Sequence, residues 1–355
     1  MTLFLTVVFC VVGVLAATLL VLARVWSHTP HGRLKPIFAL AFRLMPLLDR
    51  AGADRAIGAT DMSTAEKRAA ARRRFLESTA SLAAPEPFAG SIEDRSLASG
   101  PSGEVGVRIY RPQNEAPLPL ILYAHGGGFV VGSPDYTDVV CRILAHATPA
   151  VVVSVDYRLA PEHPAPAAAD DCAFVLDWCT ENAATIGARS GGFVVAGDSA
   201  GGNLAAVLAQ RERDGGRNRI ALQVLIYPTV DVSRQDRPSQ LAFARGYGLS
   251  LLDVEDCMRN YVPADMQRSD PRVSPLHAPS LAGLPPAHVL TAGFDLLRDE
   301  GRAYAEALAE AGVDVVHTEE ASLPHGFITM TRICGEARDS LEKIAKAIRE
   351  KTTAA

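Results

Sequence analysis

The chain has 355 residues, 48% of them hydrophobic and 21% charged, and its formal net charge is −5. This composition is typical of a globular protein with a large core, and nucleic-acid binding has little support because no Lys/Arg-rich run carries interleaved aromatic residues. The cysteines show no C-x-x-C spacing, which disfavours a disulfide framework or a zinc site and favours a reducing compartment. We expect them to be small buried hydrophobic residues. They are Cys10, Cys141, Cys172, Cys179, Cys257 and Cys334.

The first segment of the chain is strongly apolar, since residues 2–23 contain no charged side chain. A helix of this length reaches about 33 Å, enough to cross a hydrocarbon core of roughly 30 Å. A secretory signal peptide is the alternative, but no Lys or Arg precedes the run and "VLARVWSH" is a poor cleavage site. We therefore predict a single-pass N-terminal membrane anchor.

Basic residues follow this segment, and the positive-inside tendency then places the rest of the chain in the cytoplasm. A secreted or periplasmic domain is the alternative. The residues are Arg24, Arg33, Lys35 and Arg43.

Two regions have helical patterns that do not fit a regular sheet, residues 25–90 and 232–272. Both are predicted to lie over one end of a sheet as a lid. Within the first, "LKPIFALAFRLMPLL" (34–48) lies either at a membrane surface or over the core of the following domain. The basic cluster "KRAAARRR" (67–74) is interpreted as a solvated helix face.

From residue 91 onward, short apolar runs alternate with helical patterns. Such alternation predicts a mostly parallel sheet with helices on both faces. The predicted strands are 103–112, 118–124, 150–157, 191–197, 220–228, 287–294 and the run "VDVVHTEE" (313–320). The predicted helices are 165–183, 202–216 and 301–312.

A glycine-rich loop, "YAHGGGFVVGS" (123–133), follows one of the predicted buried strands. Without side chains, its backbone N–H groups can approach a carbonyl oxygen that becomes negatively charged, as in an oxyanion hole. A phosphate-binding loop is the alternative, but neither G-x-x-x-x-G-K-[ST] nor a helix-opening G-x-G-x-x-G is present. His125 in this loop is interpreted as a residue that fixes the loop rather than one that carries protons.

A second glycine cluster surrounds a serine in "FVVAGDSAGGNLAAVLA" (193–209), which contains the pattern G-x-S-x-G between a predicted strand and a predicted helix. In a nucleophile elbow the serine occupies a strained turn, and the flanking positions accept only glycine-sized residues. Chance occurrence in a small-residue loop is the alternative, which the strand-then-helix context disfavours. The pattern predicts that Ser199 is a nucleophile.

A serine nucleophile needs a base, and the base needs an orienting acid, in the chain order Ser, Asp or Glu, His. His325 is the favoured base because it falls between the last strand and the C-terminal helix, whereas His288 and His317 lie in strands and His277 in a proline-rich loop. Asp295, at the end of a strand, is the favoured acid. Asp231 is the rival, and Asp299 is interpreted as an N-cap or first-turn helix carboxylate.

Taken together, the motifs resemble the hormone-sensitive-lipase-like branch of the α/β-hydrolase family, the bacterial esterases with an H-G-G-G signature. The resemblance covers roughly residues 40–350. It rests on "HGGGF" (125–129), "DYRLAPEHPAP" (156–166), "GDSAGGNLA" (197–205), "DPRVSPL" (270–276), "DLLRDEG" (295–301) and "HGF" (325–327).

The resemblance implies an α/β-hydrolase fold with a helical cap and an acyl-enzyme mechanism that uses Ser199, His325 and Asp295. It places the oxyanion-hole donors on Gly127, Gly128 and Ala200. It also implies that "DYRLAPEHP" is framework for the oxyanion loop. The expected organisation is an N-terminal cap segment over 25–90 and a catalytic domain over 91–355 with a cap insertion at 232–272. The membrane anchor over 1–24, predicted from its apolar sequence, is a departure from the family, because many such esterases lack one.

The expected function is a serine carboxylesterase or lipase that acts on short- to medium-chain acyl esters without a metal or organic cofactor. Its partners are a small-molecule or lipid ester and a membrane, contacted through residues 2–23. Acyl transfer to a non-water acceptor and a non-catalytic receptor of the same fold are the alternatives. Phe129, Tyr247 and Phe327 are candidates for lining the substrate pocket, with core packing as an equal alternative.

Overall fold

The computed structural model describes residues 2–48, 62–100, 103–114 and 117–352, and for residues 2–11, 45–48 and 99 it describes the backbone alone. The strands are β1 (His28–Thr29), β2 (Gly32–Arg33), β3 (Gly90–Gly100), β4 (Gly103–Pro112), β5 (Leu120–Ala124), β6 (Val151–Asp156), β7 (Phe193–Asp198), β8 (Ile220–Ile226), β9 (Ala287–Phe294) and β10 (Val315–Pro324). The α-helices are α1 (Thr2–Ser27), α2 (Pro36–Leu48), α3 (Ala65–Ala80), α4 (Asp138–Ala147), α5 (Ala167–Asn182), α6 (Ala200–Asp214), α7 (Pro238–Ala242), α8 (Leu251–Tyr261), α9 (Arg298–Glu310) and α10 (Gly335–Thr352).

Strands β3 to β10 form one eight-stranded sheet in the order β10-β9-β8-β7-β5-β6-β4-β3. The strands from β10 to β6 pair in parallel, whereas β4 and β3 join one edge in antiparallel fashion. The predicted mostly parallel sheet is confirmed.

Both faces of the sheet are covered, because successive side chains of a strand point to opposite sides. In β5, Leu120 and Leu122 join one hydrophobic cluster and Ile121 and Tyr123 join the other. Buried side chains of α5, α6 and α9 belong to the first cluster, and those of α4 and α10 to the second. Two-sided burial explains why these strands read as continuous apolar runs.

The chain order of the strands reverses between β5 and β7. From β5 the chain passes to β6 on one side, and it later returns to β7 on the other side. A crevice forms at such a reversal, outside the carboxyl ends of the strands, and ligands of open α/β sheets bind there. The loops that follow β5 and β7 therefore face each other at this point, and they are the two glycine-rich loops of the sequence.

The predicted strands and helices all occur, with ends that shift by a few residues. Four further elements, the short strands β1 and β2 together with β3 and α4, were not predicted. Strand β3 has the sequence "GSIEDRSLASG" and lies at the sheet edge, where a half-exposed strand needs no continuous apolar run. The predicted helix start at residue 301 lies three residues later than the observed start at Arg298.

The N-terminal helix α1 packs its C-terminal end on the rest of the protein. Ala23 and Ser27 are buried, and Trp26 lies against the core, whereas the side chains from Val12 to Val21 are exposed. In the parts of the chain that the structure describes, we find no helix with both the length and the apolar character needed to cross a membrane. The predicted transmembrane anchor over residues 2–23 is therefore not supported.

The predicted cap regions contain α2, α3, α7 and α8, and residues 49–61 of the first region lie outside the described residues. Leu34, just before α2, and Phe38 and Ala39 within the helix are buried in the second cluster. The part of segment 34–48 whose side chains are described thus packs on the core, which was one of its two predicted roles. The division of the chain into a cap and a catalytic domain stays a prediction.

Candidate active site

Ser199 lies in a strained turn between β7 and α6. Its φ of 57° and ψ of −118° are values that a residue with a side chain rarely adopts. The flanking glycines are sterically required, because a Cβ at Gly197 would lie 2.3 Å from the carbonyl oxygen of Gly201, and one at Gly201 would lie 1.9 Å from that of Ala124. The turn is thus possible only with glycine at both positions, as the G-x-S-x-G pattern predicts.

Three side chains meet at this turn. The Nε2 of His325 lies 2.9 Å from the Oγ of Ser199, and the Nδ1 of His325 lies 2.7 Å from the Oδ2 of Asp295. Asp295 is buried, and its Oδ1 accepts a hydrogen bond of 2.8 Å from the N–H of Leu297. A carboxylate at Nδ1 fixes the proton there, so that Nε2 is free to accept the proton of the serine hydroxyl.

The parallel sheet brings these residues together from distant parts of the sequence. Ser199 follows the last residue of β7, Asp295 that of β9, and His325 that of β10. Because β7, β8, β9 and β10 pair in parallel, their carboxyl ends lie along one edge. The order Ser, Asp, His along the chain is the order expected for this architecture.

The rival acid Asp231 belongs to a different cluster. Its Oδ1 lies 2.9 Å from the Nε2 of His277 and accepts a bond of 2.6 Å from the hydroxyl of Ser233, while its Oδ2 accepts one of 2.7 Å from Arg237. Burial would raise the pKa of Asp231, but these hydrogen bonds outweigh it and lower the pKa to about 2.

The other two histidines that follow Ser199 have structural partners. His288 lies 3.1 Å from the hydroxyl of Thr318, and His317 lies 3.0 Å from that of Thr291. Both contacts link β9 to β10, which agrees with the structural roles expected for these histidines.

The predicted oxyanion loop forms a tight turn directly after β5. The carbonyl of Gly127 accepts bonds of 3.1 and 3.0 Å from the N–H groups of Val130 and Val131. In a trans peptide the C=O and the next N–H point in opposite directions, so the N–H of Gly128 points out of this turn. Ala200 is the first residue of α6, where N–H groups lack partners within the helix.

His125 holds this loop in shape. Its Nδ1 donates to the carbonyl of Gly126 at 2.7 Å, and its own carbonyl accepts a bond of 2.8 Å from the hydroxyl of Tyr157, whose ring stacks on the imidazole. Complete burial lowers the pKa of His125 to about 4, so it is neutral at pH 7. These contacts agree with the predicted loop-fixing role, and Tyr157 belongs to the motif interpreted as framework.

The basic cluster of α3 is not simply a solvated face. Arg72 donates to the carbonyls of Val130 and Ala160 at 3.0 and 3.1 Å, and both Arg72 and Arg68 form ion pairs with Glu162. For these two arginines the sequence interpretation was wrong. Their spacing of four residues places both arginines on one face of the helix, and this is the signal that could have suggested a shared partner.

Helix α7, within the insertion 232–272, is attached to the loop that carries Asp295. The N–H of Ser239 donates to the Oδ2 of Asp299 at 2.8 Å, and its hydroxyl donates to the carbonyl of Leu296 at 2.9 Å. Asp299 lies in the first turn of α9, as predicted, but it also accepts a bond from the insertion. Its neighbour Glu300 is fully buried, which raises its pKa to about 8.

The three predicted pocket residues pack against other aromatic rings. Phe129 stacks on Tyr261 with 3.7 Å between ring centroids, and Phe327 lies 5.7 Å from Tyr227, whose ring is 4.6 Å from that of His325. Tyr247 belongs to an aromatic cluster with Phe42, Phe243 and Phe294. Their role in substrate binding stays a prediction. The described free cysteines are all buried, as expected.

Comparison with known proteins shows close relatives. A sequence model of the family described as alpha/beta hydrolase fold matches residues 121–329. The chain is 42% identical over 257 residues to the carboxylic ester hydrolase LipN of Mycobacterium tuberculosis, which covers 70% of this chain and 68% of the relative. It is 38% identical over 288 residues to the ethyl acetate hydrolase of Pseudomonas putida, covering 79% of this chain and 89% of the relative.

Solved structures agree with these relatives. An ester hydrolase from the metagenome of Lake Arreo, complexed with a bipyridine phosphonate derivative, superposes with a TM-score of 0.82 at 39% identity and covers 89% of this chain and 98% of its own. An esterase of Pyrobaculum calidifontis superposes with a TM-score of 0.78 at 40% identity, over 82% of this chain and 94% of its own. The chain therefore belongs to the hormone-sensitive-lipase-like esterases of the α/β-hydrolase family and is a carboxylic ester hydrolase.

Proposed function

We propose that the chain is a serine carboxylesterase that hydrolyses short- to medium-chain acyl esters through an acyl-enzyme. The observation that supports this mechanism best is the unbroken contact from Asp295 through His325 to Ser199, with distances of 2.7 and 2.9 Å. The same distances disfavour a non-catalytic receptor, because binding alone does not require these three side chains to remain in hydrogen-bond contact.

In the first half of the reaction, the Oγ of Ser199 attacks the ester carbonyl while its proton passes to the Nε2 of His325. The carbonyl oxygen becomes an oxyanion, which accepts hydrogen bonds from the N–H groups of Gly127, Gly128 and Ala200. Collapse of this intermediate breaks the ester C–O bond, and the alcohol leaves with the proton from Nε2. Asp295 stabilises the imidazolium that exists between these two proton transfers.

In the second half, the alcohol is replaced by water. The Nε2 of His325 takes a proton from the water, and the resulting hydroxide attacks the acyl carbonyl. The second oxyanion uses the same three N–H donors. Its collapse returns the proton to the Oγ of Ser199 and releases the carboxylic acid. In both halves, every proton transfer and every oxyanion contact uses a residue of the chain.

The proposal predicts that Ser199→Ala lowers the turnover of p-nitrophenyl esters by at least about 10⁴-fold, because the nucleophile of a triad acts as a unit with its base. Ser233→Ala is the matched control, since Ser233 also contacts a histidine, His277, but outside the proposed triad. We expect this control to retain turnover. Full activity in Ser199→Ala would rule the mechanism out.

Two further measurements define the reaction. Rates on p-nitrophenyl acetate, butyrate and octanoate are expected to exceed the rate on palmitate, as the proposed acyl range requires. Product analysis with added alcohol distinguishes hydrolysis from acyl transfer, because a transferase forms a new ester whereas the proposed esterase releases the acid. Predominant ester formation at low alcohol concentration would favour the transferase.

A further inference from the structure

A buried carboxylate lies directly before the proposed nucleophile, and the mechanism above does not use it. Asp198 ends β7 and is fully buried. Its Oδ1 accepts two hydrogen bonds of 3.0 Å, one from the hydroxyl of Tyr123 and one from the backbone N–H of Gly126. Both donors belong to β5 and the loop that follows it, and not to the turn around Ser199.

Gly126 directly precedes the two proposed oxyanion donors Gly127 and Gly128. Its backbone lies too close to the carboxylate for a side chain to fit between them, since a Cβ at Gly126 would be 2.4 Å from the Oδ2 of Asp198. The carboxylate therefore fixes both the direction of the Gly126 N–H and the distance of this backbone from β7. The oxyanion loop and the nucleophile turn are thereby linked by one side chain.

We infer that Asp198 is a positioning residue, which holds the oxyanion loop at the distance from Ser199 that the transition state requires. The inference rests on the proposed function, because it assigns the loop N–H groups to the oxyanion. Asp198 contacts neither substrate nor reacting atoms in this role. It acts through Gly126, one peptide away from the first proposed donor.

The surroundings of Asp198 make its carboxylate an effective acceptor. Four tyrosines surround the carboxylate, and burial raises their pKa values well above the usual range, so their hydroxyls are neutral at pH 7. They are Tyr123 in β5, Tyr136 beyond the oxyanion loop, Tyr157 after β6 and Tyr227 after β8. Burial likewise raises the pKa of Cys141 in α4.

The pKa of Asp198 itself is raised to about 6 by burial, although the hydrogen bonds from the Tyr123 hydroxyl and the Gly126 N–H oppose this rise. At pH 7 the group is therefore mostly an anion, and hydrogen bonds to an ionised acceptor are about twice as strong as neutral ones.

The test compares Asp198→Ala with Asp198→Asn on a p-nitrophenyl ester. The alanine removes the acceptor, and we expect kcat to fall about 10²-fold with KM changed less than about threefold, because misplaced oxyanion donors weaken only the transition state. The asparagine keeps an acceptor oxygen of the same shape, so most of the kcat is expected to return. Binding of a phosphonate that mimics the tetrahedral intermediate is expected to weaken in parallel with kcat.

Gln223→Ala is the matched control for loss of a buried polar side chain, since Gln223 lies on neighbouring β8 and bonds to the carbonyl of Pro285 instead of the loop. We expect it to lower the melting temperature while leaving kcat unchanged. If Asp198→Ala does not fold, Asp198→Ser replaces it, because a serine side chain is too short to reach the Gly126 N–H.

Two outcomes would overturn the inference. One is a kcat for Asp198→Ala, or for its serine replacement, within about threefold of the parent value. The other is an equal loss of kcat in Asp198→Asn, because an acceptor oxygen placed at the same position would then fail to restore the proposed positioning of the loop. Both require a parent enzyme whose turnover depends on Ser199. A parent without such turnover would instead contradict the proposed function.

Discussion

Asp295 and Asp231 follow neighbouring strands of one sheet, and each contacts a histidine, but their surroundings give them different chemistry. Asp295 contacts the Nδ1 of His325 and leaves Nε2 directed at a serine hydroxyl. Asp231 contacts the Nε2 of His277 and shares its two oxygens with an arginine and a serine. Only the first arrangement leaves a ring nitrogen in contact with the elbow serine.

We predict that Asp295→Asn lowers kcat by about 10³–10⁴-fold, because an amide N–H facing Nδ1 favours the tautomer that carries its proton on Nε2. Asp231→Asn is the matched control: it makes the same change at the end of the neighbouring strand. We expect the control to lose stability, since Arg237 loses its anionic partner, but to keep kcat. Steady-state kinetics and a thermal melt measure both effects, and a larger kcat loss in the control would refute the assignment.

Glu300 predicts a pH dependence of stability. Its ordinary pKa is 4.5, and burial raises it to about 8 in the folded protein. Between these values the folded state holds a proton that the unfolded chain has released, so the free energy of unfolding falls as pH rises and levels off above the folded pKa. Glu300→Gln cannot titrate and is therefore expected to lack this part of the decline.

The measurement is urea unfolding of both proteins from about pH 5 to about pH 9, with the slope against pH as the readout. The slope is informative even if the glutamine changes the stability at every pH. Glu306→Gln, at an exposed position of the same helix α9, is the control and is expected to keep the parent slope. Identical slopes for the parent and Glu300→Gln would contradict the prediction.

Helix α3 is attached to the predicted oxyanion loop through Arg72. Arg72 reaches the carbonyl of Val130, within that loop, and the carbonyl of Ala160, while it also pairs with Glu162. This helix belongs to the segment predicted to cover the site. Loss of this attachment is therefore expected to change the position of the loop that is proposed to hold the oxyanion.

We predict that Arg72→Ala weakens the attachment of α3 by about 1–2 kcal/mol, since each lost hydrogen bond contributes about 1 kcal/mol. Hydrogen exchange within Ala65–Ala80 is expected to become faster, and kcat/KM is expected to fall. Arg73→Ala changes the exposed neighbour and serves as the control. Unchanged exchange in α3 would show that other contacts hold the helix.

Much of the element pattern was predictable because buried parallel strands and amphipathic helices leave clear periodicities. The elbow glycines were also predictable, since steric demands at Gly197 and Gly201 act over four residues. The contact between Asp198 and Gly126 was not, because its partners are 72 residues apart and meet only through the pairing of β5 with β7. The same holds for Arg72 and Val130, which belong to separate elements.

The N-terminal helix α1 has an exposed part and a part that packs on the rest of the protein. Leu15, Leu20 and Val21 are 58%, 65% and 60% exposed, whereas Ala23 is 5% exposed. Hydrophobicity alone predicted a membrane anchor here, because a window of apolar residues does not reveal which of them pack on the rest of the chain.

We predict that the triple substitution Leu15→Gln, Leu20→Gln, Val21→Gln changes the melting temperature by less than about 2 °C, since exposed positions contribute little to stability. Ala23→Gln, one turn away, is expected to destabilise the protein because the longer polar side chain does not fit a buried position. Calorimetry of the two variants measures the difference. A large loss in the triple variant would indicate that α1 is covered in solution.

The paired contacts between Ser239 and Asp299 have a practical consequence for engineering. Hydrogen bonds from backbone and side-chain groups join helix α7 to the segment that carries the proposed acid Asp295. Redesign of the predicted cap insertion for a new ester would therefore also change the support of that acid. Chimeras that import a foreign cap should import the facing carboxylate as well. Otherwise a gain in selectivity will arrive together with a loss of rate that no change in the substrate pocket explains.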